Sequence, residues 1–201
     1  MAISSIIIVG AGPAGLLLGA LLAKAGIPSI RILERDSCPT DDARAVFYQP
    51  IALREFKRAG IIDAVEDAGL RPRKAVWRDM CGKALFEMPG SGMIALTSNK
   101  LASIVQTKLE MHENAEIKWG HEVMALGEDQ SRDSAWIDVR TSQGLERLEA
   151  DYVVGCDGGD STVRKLLLGP GSMAGFTWEK QLLAADVCTS AFPTYCQRTA
   201  C

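Results

Sequence analysis

Ile6-Ile7-Ile8-Val9 runs without interruption into Gly10-Ala11-Gly12-Pro13-Ala14-Gly15, and that into Leu16-Leu17-Leu18-Gly19-Ala20-Leu21-Leu22. An unbroken apolar tetrapeptide reads as a strand buried on both faces, and the longer run as a helix ended by Gly26 with Pro28 beyond it. A second apolar run, residues 30–33, closes on Glu34. Residues 35–42 are polar and carry Pro39 and the Asp41-Asp42 pair, the composition of a loop. Ile51, Leu53, Phe56, Ile61 and Ile62 then mark a helix and its exit, with Gly60 as terminator. Two short apolar runs, 76–78 and 84–88, flank a polar turn and predict a β-hairpin. Leu101, Ile104, Val105 and Leu109 recur at helical spacing, predicting an amphipathic helix over 99–111. From Ile117 onward the pattern changes to short strands at 122–126, 136–140 and 145–149. A short apolar strand, Tyr152-Val153-Val154-Gly155, then returns to the main sheet.

These elements predict an α/β fold. A Rossmann-like parallel sheet is expected from the strands at Ile6, Ile30 and Val153, with a small antiparallel layer from the strands between 122 and 149. The hairpin at 76–88 and a strand after Gly175 are expected to begin a second, β-rich domain whose sheet is incomplete and leaves an exposed edge. The expected division is a discontinuous nucleotide domain, 1–75 with 99–172, and a partial substrate domain with a divergent tail, 76–98 with 173–201.

Composition changes this picture little. The 201 residues are 47% hydrophobic and 23% charged, ordinary globular values, and the net charge of −3 argues against a nucleic-acid partner. Cys38, Cys81 and Cys156 are scattered and Cys188, Cys196 and Cys201 crowd the end, with no CxxC pair and with only two histidines in the chain. That pattern fits neither a disulfide framework nor a zinc site, and no metal is expected. The apolar N-terminal stretch lacks a basic leader and is broken by its glycines. Neither a signal peptide nor a stable membrane insertion is expected, and the reading is cytoplasmic.

The chemistry lies in the turns. In a strand–glycine turn–helix unit, Gly10 permits the tight turn, Gly12 lets a pyrophosphate approach the backbone, and Gly15 lets helix and strand pack closely. The anion is held by free N–H groups and the positive end of the helix dipole. Glu34 stands about 20 residues after the glycines, where this fingerprint places an acid on the ribose hydroxyls. A second strand end meets a second helix start at Cys156-Asp157-Gly158-Gly159-Asp160-Ser161-Thr162-Val163-Arg164. Asp157 there could take ligand hydroxyls. Its other reading is a capped turn in which Asp157 and Arg164 pair. No Ser/His/Asp or Cys/His set is present to assign as catalytic, and His112 and His121 read as surface or structural residues.

GAGPAG, the Leu33-Glu34-Arg35 strand end, Arg44 in Ala43-Arg44-Ala45, and the D-G-x-x-S-x-x-R pattern from Asp157 to Arg164 together resemble the FAD-dependent aromatic hydroxylases. These are the single-component flavoprotein monooxygenases related to para-hydroxybenzoate hydroxylase and phenol hydroxylase. The resemblance runs from about Ile6 to Asp186. It implies that Gly10, Gly12, Pro13, Ala14 and Gly15 hold the FAD pyrophosphate and that Glu34 holds the adenosine ribose. Arg35 would lie near the adenine, Arg44 toward the flavin, and Asp157 against FAD beside the pyridine-nucleotide route. It further implies NAD(P)H as reductant, a small phenolic substrate, and chemistry carried by the flavin rather than by a side chain. Two departures stand out. The family's glutamine at the start of the helix near 99 is replaced by Ser98 and Asn99. A later Gly-Asp motif, found in members about twice as long, has no counterpart after Arg164. The resemblance therefore implies an incomplete copy of such an enzyme. A non-catalytic dinucleotide-binding remnant is the second reading, and an NAD-dependent dehydrogenase the third.

Overall fold

A computed structural model describes residues 3–40, 45–90, 92–169, 171, 175–176 and 179–180. The first strand, β1 (Ser5–Val9), leads through the glycine turn into α1 (Pro13–Lys24) and β2 (Ser29–Glu34). There follow β3 (Ala45–Tyr48), α2 (Pro50–Ala59), α3 (Ile62–Ala68), the hairpin β4 (Lys74–Arg78) and β5 (Ala84–Pro89), β6 (Ile94–Thr97) and α4 (Ser98–Leu109). The chain continues through β7 (Ala115–Trp119), β8 (Glu122–Asp129), β9 (Ser134–Thr141), β10 (Gly144–Ala150), β11 (Tyr152–Gly155) and α5 (Thr162–Leu168). The strand expected after Gly175 falls partly, and the cysteine-rich end wholly, outside the described residues.

The parallel sheet has the order β11-β1-β2-β7, with Ile7 opposite Val153 and Ile6 opposite Ile30. The expected three-stranded core is therefore present, with β7 added at its outer edge. Strand β1 is apolar throughout because both of its faces are covered. Ile6 and Ile8 pack with Leu16, Ala20, Phe56 and Leu101 on the helical side, while Ile7 and Val9 pack with Val123, Ile137 and Val139 of the antiparallel layer. That layer, β10-β9-β8, lies where the alternation predicted it, although each strand runs longer than expected. The predicted hairpin forms with Lys74 opposite Pro89. The sequence pattern missed the pairing of β3 with β6, two four-residue strands set far apart in the chain. The helix expected from Ile51 stops at Gly60 as predicted, with Gly60 in the left-handed conformation; α3, which follows the exit at Ile61, was not predicted.

Two fastenings position the site. At the start of the sheet, the Ser4 and Ser5 N–H groups donate to Asp151 Oδ2 at 2.6 and 2.8 Å, tying β1 to the residue that precedes β11. At its other end three backbone segments touch. Cys156 N–H donates to Val9 O at 2.7 Å and Gly10 N–H to Leu33 O at 2.7 Å. Gly10 has φ +106°, and a Cβ on it would stand 2.5 Å from the Cys156 carbonyl oxygen. A Cβ on Gly15 would stand 2.0 Å from the Gly10 carbonyl oxygen. Gly15→Ala is therefore expected to push α1 off the turn and destabilise the fold by about 1–3 kcal/mol, read as a lower urea midpoint.

Several carboxyls are held below their ordinary range. Asp129 is lowered to about 2 by the Ser131 hydroxyl and the Arg132 guanidinium. Asp138 is lowered by its bidentate bonds from Arg147, whose guanidinium also lies 3.7 Å above the Trp136 ring, and Asp151 by the Ser4 and Ser5 donors. A carboxyl whose folded pKa lies below its unfolded value stabilises fully above the unfolded value, and that contribution is lost as pH falls through the folded one. Urea midpoints are expected to stay level from neutral pH down to about 5, then fall between about 4 and 2. A decline that begins near pH 6 would contradict this assignment.

Candidate dinucleotide site

Helix α1 opens with Gly12 as N-cap and Pro13 as its first residue, and no side chain caps it. The first-turn N–H groups of Ala14 and Gly15 have no acceptor within the helix, and they stand at the positive end of its dipole. Gly12 itself is extended, at φ −70° and ψ 173°, and a Cβ built on it meets nothing within 4 Å. The three glycines thus do different work. Gly10 and Gly15 lack side chains because backbone occupies the space, and Gly12 faces space that is open.

That space is a cavity of about 520 Å³ between the glycine turn, Glu34, the segment at Cys38–Thr40 and one side of α4. A second cavity, about 280 Å³, lies across the strand ends between the glycine turn, Arg35, His121 and Asp157. Gly12, Glu34 and Asp36 line both. Glu34 is the partition. Its Oε2 accepts the Ala11 N–H at 2.8 Å and its Oε1 the Asp36 N–H at 3.1 Å. The carboxylate expected at a ribose is thereby fixed against the turn expected at the pyrophosphate.

On α4, Asn99 Oδ1 accepts from the Thr97 hydroxyl at 2.6 Å and from the Lys100 N–H at 2.8 Å, so its carbonyl is engaged at the helix start. Gln106, two turns further along, lines the larger cavity and donates to Glu110 at 2.8 Å. The sequence reading missed it. Its signal is the polar stripe Asn99, Ser103, Gln106, Glu110, at the spacing of one helix face.

Asp157 fastens the second turn. Its Oδ1 accepts the Ser161 hydroxyl at 2.6 Å, and its Oδ2 accepts the Thr162 and Val163 N–H groups at 2.6 and 3.1 Å. Ser161 Oγ in turn accepts the Arg164 N–H at 3.0 Å, as an N-cap does. Arg164 does not pair with Asp157; its guanidinium donates to the Gly159 carbonyl at 2.9 Å. Arg35 stands on the same cavity as Asp160. The Asp160 carboxyl is held low by the Lys165 ammonium that bonds it, with the Arg164 and Arg35 charges adding to the effect. Cys156 lies beneath, and burial together with the Asp157 charge raises its thiol pKa, so it remains protonated at neutral pH. His121, read from sequence as a surface or structural residue, stands on the wall of the smaller cavity, whereas His112 lines neither cavity. Arg44 lies outside the described residues. Among the described residues no group of three His, Cys, Asp or Glu side chains is placed to hold a metal ion, and no helix is long and apolar enough to cross a membrane.

Comparison with known proteins identifies the family. Residues 4–198 match the family described as FAD binding domain. The chain is 29% identical over 197 residues to para-nitrophenol 4-monooxygenase of Pseudomonas sp. (strain WBC-3), covering 92% of this chain and 47% of that protein. It is 32% identical over 192 residues to 6-hydroxy-3-succinoylpyridine 3-monooxygenase HspB of Pseudomonas putida, covering 90% of this chain and 47% of that protein. Among solved structures, p-nitrophenol 4-monooxygenase PnpA from Pseudomonas putida DLL-E4 superposes with a TM-score of 0.77 at 28% identity, over 82% of this chain and 43% of PnpA. The chain thus spans about half the length of the curated relatives it matches. Its glycine turn, its Glu34 partition and its capped Asp157 turn accordingly sit in a chain that belongs to the FAD-binding domain family.

Proposed function

We propose that this chain is the nucleotide-holding part of an FAD-dependent monooxygenase that takes its electrons from NAD(P)H and hydroxylates a phenolic or related aromatic substrate. The observation that carries the reading is Gly12, which faces open space at an uncapped helix start where two cavities meet. The residues fit a dinucleotide. The N–H groups of the Gly12-Pro13-Ala14-Gly15 turn, less that of proline, would hold the pyrophosphate. Glu34 has four lone-pair sites, of which the Ala11 and Asp36 N–H groups take two, leaving acceptors for ribose hydroxyls. Arg35 would lie at the adenine end and Arg44 toward the flavin. Asp157, with three donors already on its carboxylate, keeps room for one more.

FAD, when bound, would supply the redox chemistry: hydride acceptance from a nicotinamide and activation of O₂, one oxygen atom going to the ring and the other leaving as water. The chain's own part is to bind and orient. None of the proposed site residues acts as nucleophile or general acid; the carboxylates accept, the turn N–H groups donate, and Cys156 stays a thiol. Residues 76–98, which take in most of the hairpin β4–β5, are read as the first part of a partial substrate domain; its second part with a divergent tail, 173–201, lies almost wholly outside the described residues. A dinucleotide-binding remnant is the second reading.

Gly12→Val is expected to abolish saturable FAD and ADP binding in a fluorescence titration while leaving the urea midpoint unchanged, because nothing in the fold occupies that space. Glu34→Ala is expected to weaken both ligands by on the order of 1–3 kcal/mol. Equal affinities for wild type and Gly12→Val would remove the pyrophosphate assignment. For activity, the 201-residue chain with FAD, NAD(P)H and a phenol is expected to release hydrogen peroxide without hydroxylated product, since an unenclosed flavin leaks its oxidising equivalents. Product formed in proportion to NAD(P)H consumed would show that these residues suffice for the full reaction.

A further inference from the structure

We draw no further inference here: the strongest candidate, the exposed apolar face of the hairpin β4–β5 on which the Trp77 and Phe86 rings stand 5.4 Å apart, carries nothing because nothing in the structure shows what covers it.

Discussion

Three stretches of main chain meet at the carboxyl end of β1 with no side chain between them. The Gly10 carbonyl lies where a Cβ on Gly15 would be, and the Cys156 carbonyl where a Cβ on Gly10 would be. This contact sets the height of α1 above the sheet, and with it the place where the uncapped first turn of that helix points. It also fixes β11 against β1, so the Asp157 turn comes to rest beside the glycine turn. The free N–H groups of the glycine turn and the second acidic turn are therefore parts of one packing arrangement. Binding geometry of this kind is set by excluded volume, which tolerates little error, rather than by long-range charge.

The two acids of the site are fasteners before they meet any ligand. Glu34 bridges Ala11 and Asp36, and Asp157 gathers Ser161, Thr162 and Val163. Each carboxylate is preorganised by backbone donors and keeps acceptor capacity in reserve, so little side-chain freedom is left to lose on binding. A residue that holds the scaffold and touches the ligand is harder to replace than one that does either alone. Of the two readings of Asp157, the capped turn forms, though without the Asp157–Arg164 pair, since Arg164 bonds the Gly159 carbonyl instead.

The parts legible in the sequence were those with local signatures. The glycine turn, Glu34, the apolar strands β1, β2 and β11, and the alternating strands β8 to β10 all announce themselves within a few residues. Strand β7 escaped placement because Ala-Glu-Ile-Lys-Trp alternates like an antiparallel strand. It does so as the outer edge of a parallel sheet, paired among the described residues only with β2. Strands β3 and β6 escaped because four residues carry too little pattern and their partners lie about fifty positions apart. Gln106 and His121 were invisible as site residues for another reason. Nothing near either in sequence marks a ligand; α4 and the β7–β8 turn bring them to the cavities through tertiary packing.

The pairing of the first strand with the eleventh has a consequence for biosynthesis. Ser4 meets Asp151 across 147 positions, and the smaller cavity takes walls from Val9 at one end of the described chain and Thr162 near the other. As the polypeptide leaves the ribosome, β1, α1 and β2 emerge early, yet their sheet lacks one flank until β11 has followed. Contacts so distant along the chain form slowly, and the chain waits with an unpaired strand edge and exposed apolar residues. A nucleotide arriving during that interval would find the turn but not the pocket. The pocket between the strand ends therefore forms only after β11 has closed the sheet.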